Sequence, residues 1–293
     1  MQNKIIRSLS LNEFIRSKYI HPPEIDVVCS VGGFYGFFMV GVDKILKKLE
    51  KEGKLVIKRY AGSSCGAICS VLMACDVPGD DVIGIYNNLF RADNFFEKLR
   101  GEILRVLPED AYEICSDRVF IHCTELSWHY GFRHTVFSRY ESNEDLVDAA
   151  MASSNMPFYI SPRMYYPYRG KYYIDGCWSS PLPLFHDDSL HHQLLVKLYN
   201  IKYYRPYMCV PLDPSIEALV VKGAVETDKF LSGTDPNIET LSWYDPRSRQ
   251  KKTTNYYYYY PSVAILLGTM SLVTLFYLRQ MRYDLARITS KIK

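Results

Sequence analysis

The sequence lacks paired cysteines. Its eight, Cys29, Cys65, Cys69, Cys75, Cys115, Cys123, Cys177 and Cys209, form no CxxC and no clustered Cys/His spacing. That excludes the usual structural zinc module. A signal peptide is missing as well: MQNKIIRSLSLNEFIRSKYI has no continuous apolar core, so an intracellular, reduced chain is expected. Nor is there a strong charge of one sign. Lys and Arg number 35 against 32 Asp and Glu, a net charge of +3, too small an excess to point to a nucleic-acid partner. No internal repeat is evident. What is present is a chain of 293 residues, 48% apolar and 23% charged. That suffices for one large domain with a full core or two modest ones, and excludes whole-chain disorder and collagen-like repetition. Tyrosine is in surplus: there are 25, five of them consecutive from Tyr256 to Tyr260.

Ile25 to Val31 (IDVVCSV) is a nearly continuous apolar run, which reads as a buried parallel strand. Gly32, Gly33 and Gly36 follow, then a helical pattern through Leu49. Leu55 to Tyr60 is a second strand, running into Gly62-Ser63-Ser64-Cys65-Gly66 and the helical AICSVLMAC. Strand, glycine turn, helix, strand, sharp turn, helix opens an α/β domain with a parallel sheet. Asp80 to Phe90 and Asn94 to Val106 read as helices. VFIHCTEL and FRHTVFSRY read as two strands joined through Trp128 to Gly131. Asn143 to Ala152 reads as a helix with Glu144 and Asp145 in its first turn. Tyr168 to Ile174 reads as a strand ending at Asp175-Gly176, and Gln193 to Leu198 as one more. Between Ala224 and Asn255 the chain turns polar, as a surface excursion or linker would.

The strongest chemical signal is the G-x-S-x-G pentapeptide centred on Ser64. Gly62 and Gly66 leave room for a tight strand-to-helix turn that lifts the hydroxyl clear, and the helix N-terminus aims free N–H groups at developing negative charge. Its bland alternative is a serine-rich helix cap. Ser63 suits a turn position, and a Cys65 mechanism would need cysteine at the centre of the elbow. The earlier glycines fail as a dinucleotide fingerprint, because position 31 is Val. A glycine pair between strand and helix can still offer N–H groups to an oxyanion, or can serve only a close helix–strand crossing. The serine needs a proton acceptor. His186, His191 and His192 lie 11 to 17 residues after Asp175 in a polar segment, close for a triad, while His122, His129 and His134 precede it. Asp175 ends an aromatic strand before Gly176, as a carboxylate presented at a sheet edge would, or as a plain Asp-Gly turn would.

These residues together resemble the patatin-like phospholipases, closest to the animal-type neutral lipase and adiponutrin branch. SVGGFYGFFMVGV matches the glycine-rich loop, YAGSSCGAI the elbow, FSRYESNEDLVDAAMASSNMPFY the segment before the acid, and YYIDGCWSSPLP the acid motif. The resemblance implies a three-layer α/β/α domain with a mostly parallel central sheet. It implies a Ser–Asp dyad without histidine, with Ser64 as nucleophile and Asp175 as base. The N–H groups of Gly32, Gly33 and Phe34 would form the oxyanion hole. Acyl hydrolysis of glycerophospholipids or acylglycerols follows, with a lipid substrate and a membrane surface as partners, and neither metal nor cofactor. The sequence departs from the family at Cys177, where Gly or Ala is usual, at Pro181, commonly Asn, and at Val31, often a smaller residue; Pro183 keeps the closing proline. The departures leave open an inactive membrane-associated relative of the same fold, and a small-ester or thioester hydrolase is the enzymatic rival.

Ser262 to Leu278 holds 17 residues without charge, the short limit for a spanning helix. Tyrosines precede it, and residues 279–293 carry five basic groups and one acid, which fits a membrane anchor. The expected organisation is therefore an acyl hydrolase domain over 1–222, a polar excursion over 223–255, and an apolar helix with a basic tail over 256–293.

Overall fold

The computed structural model describes residues 24–89, 94–127, 131–157, 160–186, 191–201 and 216–245. Strand β1 (Glu24–Cys29) is buried at every position after the first, as its unbroken apolar run requires of a strand covered on both faces. It leads through a short 3-10 turn at Gly33–Gly36 into α1 (Phe37–Lys51). Next come β2 (Val56–Ser63), α2 (Cys65–Ala74), α3 (Gly79–Leu89), α4 (Phe95–Val106) and a short α5 (Ala111–Cys115). Then follow β3 (Val119–Ser127), β4 (Gly131–Phe137), α6 (Asn143–Ser153), β5 (Tyr166–Tyr168), β6 (Lys171–Ile174), β7 (His192–Val196), α7 (Ile216–Ser232) and β8 (Leu241–Tyr244).

One eight-stranded sheet joins the strands. Its centre is parallel, in the order β3-β2-β1-β7. Antiparallel strands finish it: β4 and β6 on β3, β5 on β6, and β8 on β7. Helices flank this sheet, the α/β arrangement that the order of elements implies. Ile25, Val27 and Cys29 of β1 join the main core, which the helices complete. Val28, with Ala61 and Leu195 of the neighbouring strands, packs with Leu182 and Phe185 in a second cluster. Alternation along a strand puts these two sets on opposite faces, so the segment after Asp175 roofs the sheet.

Several elements differ from the sequence reading. The strand expected over Tyr168 to Ile174 is a hairpin, because Arg169 (φ 45°) and Gly170 (φ 73°) turn the chain as a two-residue turn with two positive φ values does. The polar stretch from Ala224 carries the second half of α7 and the edge strand β8. Val220, Gly223, Thr227, Phe230 and Leu231 form the buried face of α7, diluted in sequence by charged neighbours on the exposed face. A Cβ on Gly41 would sit 2.0 Å from the Val220 carbonyl oxygen, and one on Gly223 equally close to that of Phe38. Two glycines thus let the α1 and α7 backbones touch.

The membrane attachment also needs correction. Among the described residues no helix is long and apolar enough to cross a membrane; the longest, α7, has 17 residues and is amphipathic, short of the roughly 20 a span needs. The stretch 262–278 and the tyrosine run lie outside the described residues. The localisation built on that stretch, intracellular with a C-terminal transmembrane or interfacial helix, is withdrawn.

Candidate active site

Two strands run toward each other along one edge of β3, and Ser64 and Asp175 emerge where they meet. β4 occupies the far edge of β3 from Ile121 to Ser127, so β2 and β6 share the near edge. β2, parallel to β3, ends with Ser63 opposite His122. β6, antiparallel, ends with Ile174 opposite Thr124. The next residue of each is the candidate. The gap between the strand ends is one residue of β3 wide, and it selects glycine at 176: a Cβ there would lie 2.2 Å from both the His122 carbonyl oxygen and Ser63 Oγ.

Ser64 adopts φ 56° and ψ −133°, a conformation that costs a residue with a side chain about 1–3 kcal/mol and persists only where surroundings enforce it. Gly62 and Gly66 enforce it by proximity. A Cβ on Gly62 would meet the Gly66 carbonyl oxygen at 2.2 Å, and one on Gly66 the Cys29 carbonyl oxygen at 2.3 Å. The Ser64 N–H donates to Ser153 Oγ (2.9 Å), whose hydroxyl donates to the His122 carbonyl (2.7 Å). The last residue of α6 therefore ties the elbow to β3.

Asp175 is fully buried and Ser64 nearly so, at 8% exposure. The Ser64 hydroxyl donates to Asp175 Oδ2 at 2.6 Å, and the Cys177 N–H donates to Oδ1 at 2.8 Å. The backbone of Asp175 is pinned too, its N–H donating to the Asn155 carbonyl (2.8 Å) and its carbonyl accepting from Thr124 Oγ1 (2.9 Å). Burial pushes the Asp175 carboxyl up to about 6, against the opposing pull of the Ser64 hydroxyl and the Cys177 N–H. It remains an anion at neutral pH, able to accept a proton.

The glycine loop lies against the elbow. Gly33 has φ 54°, and a Cβ on Gly32 would overlap the Leu198 side chain, 2.4 Å from Cδ1. Gly33 and Phe34 line the same pocket as Ser64. The N–H groups of Gly32 and Gly33 face the Cys65 sulfur and lower its pKa, but burial and the Asp175 charge outweigh them and push the thiol well up. Cys65 is thus a poor nucleophile at neutral pH.

The departures from the family pattern meet one another. The Val31 N–H donates to the Pro181 carbonyl at 3.1 Å, which joins the glycine loop to the acid loop. At Cys177 the backbone N–H makes a bond to Asp175, and the thiol lies against the same carboxylate.

Among the described residues no histidine is hydrogen-bonded to Ser64 or Asp175. His192 pairs with Ile25, four residues before Cys29, which pairs with Gly62 of the elbow; at 3.3 Å per residue this is about 13 Å along the sheet. His191 lies at that opposite end, its Nε2 3.0 Å from Glu24 and its Nδ1 3.4 Å from Asp26. His122 Nδ1 lies 2.9 Å from His134 Nε2 and 3.2 Å from Ser180 Oγ. Burial, then His134 and His186, push His122 down to about 3. His129 lies outside the described residues. Among the described residues no group of three or more His, Cys, Asp and Glu is arranged to hold a metal.

Sequence reasoning overlooked Ser153, Asn155 and Thr124. The signal for Ser153 was a serine closing the apolar run AAMA, where a buried hydroxyl needs a partner; Asn155 acts through its backbone carbonyl, which no residue type marks. Thr124 carried no such mark.

Beside Ser64 opens a cleft with about 120 Å³ of enclosed space. Its walls are almost wholly apolar, from α2, α3 and α4. A serine hydroxyl bonded to a buried carboxylate beside an apolar cleft is equipped for acyl transfer from a substrate with a hydrocarbon chain.

The α/β fold carries Ser64 on a glycine-flanked strand-to-helix turn, the arrangement a nucleophile elbow has. The chain belongs to the patatin-like phospholipase family, whose model matches residues 27–186. Members act generically as lipid or ester hydrolases through a serine nucleophile. The chain is 28% identical over 169 residues to human "Omega-hydroxyceramide transacylase", a match covering 53% of this chain and 30% of that protein. To human "Patatin-like phospholipase domain-containing protein 4" it is 24% identical over 169 residues, covering 52% and 64%. The matches thus cover less than two thirds of these relatives. The solved ExoU–SpcU complex of Pseudomonas aeruginosa aligns with a TM-score of 0.41 and 14% identity, over 76% of this chain and 53% of that one, too distant to carry an argument.

Proposed function

We propose that this chain is a serine lipid acyl hydrolase that cleaves ester bonds of phospholipids or acylglycerols through Ser64 and Asp175. The observation that carries this is the 2.6 Å hydrogen bond to the buried Asp175 carboxylate from the hydroxyl of Ser64, a residue that lines an apolar cleft. Asp175 accepts the hydroxyl proton as Ser64 Oγ attacks the ester carbonyl. The negative charge on the carbonyl oxygen falls to the N–H groups of Gly32, Gly33 and Phe34, with Gly32 and Gly33 exchanging the Cys65 sulfur for the stronger acceptor. Collapse of the intermediate breaks the bond to the alcohol, which takes the proton from Asp175 and leaves an acyl-serine. Water then attacks that ester, giving its proton to Asp175. Ser64 regains a proton as the fatty acid departs.

Two features favour this reading over its rivals. The extended apolar wall has no purpose for a small ester. Against an inactive relative, Cys177 keeps its backbone bond to the Asp175 carboxylate, and Pro181 enters through its carbonyl. We also read the chain as nearest the animal-type neutral lipase branch, on its sequence motifs. Hydrolysis of a panel of phospholipid, lysophospholipid and triacylglycerol tests the reading. Wild type should release fatty acid from at least one of them and Ser64→Ala from none; activity that survives Ser64→Ala refutes it.

A further inference from the structure

We infer that the acyl pocket beside Ser64 closes at a depth of about eight carbons, and that Leu72 and Val82 set that depth. The inference rests on the acyl-hydrolase reading, which seats the ester carbonyl at Ser64. Along α2, Cys65, Ile68, Cys69 and Leu72 face the pocket, the i, i+3, i+4, i+7 stripe of one helix. Seven residues at the α-helical rise advance about 10 Å. An extended hydrocarbon chain advances about 1.25 Å per carbon, from the ordinary C–C length and angle. The wall therefore matches about eight carbons beyond the carbonyl. On α3, Tyr86 packs edge-on against Phe34 and Phe37 near the mouth, and Val82 lies one turn away from it.

The far end is a partition. A second, small void of about 20 Å³ shares Cys69, Leu72 and Val82 with the acyl pocket, so these side chains stand between the two. Leu72 is 5% exposed and held within its helix. Beyond the partition, the second cavity is lined by Asp43, whose Oδ1 makes no hydrogen bond to the protein. A hydrocarbon terminus pushed through would displace Leu72 or Val82 and would meet a buried carboxyl oxygen that lacks a hydrogen-bond partner. The pocket thus selects medium-length acyl chains over long ones.

The test is the rate of hydrolysis of p-nitrophenyl esters from C2 to C16 by the full chain, as wild type, Leu72→Ala and Val82→Phe. For wild type, kcat/KM should rise by about fourfold per added methylene, the value of burying one. It should peak at about C8 to C10 and be at least tenfold lower at C16. Leu72→Ala joins the two cavities and should move the peak to about C12, while Val82→Phe should move it to about C6. A wild-type peak at C16, or the same profile in both variants, overturns the inference. Calorimetric titration of the Ser64→Ala chain with saturated fatty acids from C6 to C16 reads the depth without turnover or the variants. Affinity that levels off near C10 supports the partition, and affinity still rising at C16 overturns it. Absence of Ser64-dependent hydrolysis of every ester would instead refute the hydrolase reading, and the fatty-acid series would still decide the depth.

Discussion

Asp175→Asn should make the protein more stable and inactive at once. The fully buried carboxyl titrates near 6 in the fold, against 3.8 for the free side chain. A raised carboxyl is favourable to the fold only while protonated. Its contribution is full below pH 3.8 and is lost as pH rises through 6. The rise from 3.8 to about 6 corresponds to about 3 kcal/mol of destabilisation at neutral pH. Asparagine removes the charge, keeps an oxygen for the Cys177 N–H and fits the same space, so it should recover up to about 3 kcal/mol. Denaturant unfolding of both chains from pH 4 to 8 measures this. Asp43, raised to about 7 by burial, acts in the same direction as Asp175, and His122, pushed down to about 3, in the opposite one. The quantity to read is therefore the difference between the chains, which should grow from near zero at pH 4 to its plateau above pH 7. A variant less stable than wild type at pH 8, or one that keeps a tenth of the wild-type kcat/KM, would refute the reasoning.

Activity itself should fall about tenfold per pH unit below the Asp175 value of about 6, because the protonated acid cannot accept from Ser64; a flat kcat/KM down to pH 5 would contradict this. Ser153→Ala removes the partner of the Ser64 N–H and a donor to His122. It should cost about 1–3 kcal/mol of stability by chemical denaturation and lower kcat/KM at least tenfold. Gly66→Ala drives a Cβ to 2.3 Å from the Cys29 carbonyl oxygen and should cost about 3 kcal/mol or more, seen as loss of a cooperative melt. The triple variant His186→Ala, His191→Ala, His192→Ala should keep kcat/KM within about twofold of wild type; total loss would revive a histidine triad.

Much of the fold was legible because its signals are local. The buried run of β1 and the glycine-flanked Ser64 each announce themselves within a few residues. Asp175 was harder. Its partnership with Ser64 depends on two strands meeting head-on along β3, a relation between residues 111 apart that no local pattern encodes. The same holds for Thr124, which matters only because of where β2 and β6 stop. The second half of α7 was hidden because its buried face is interleaved with Glu226, Asp228 and Lys229, and because close contact with α1 uses glycine, a residue that weakens helical patterns. The membrane expectation came from composition alone, and the described helices give it no support.

Covalent labelling is the most direct measurement. The full chain is treated with a fluorophosphonate carrying an octyl chain, and the adduct is located by peptide mass spectrometry. One adduct on Ser64, abolished in Ser64→Ala and slowed at least a hundredfold in Asp175→Asn, is the predicted result. An unlabelled wild-type chain, or a label on another residue that persists in Ser64→Ala, would contradict the assignment of Ser64 and Asp175.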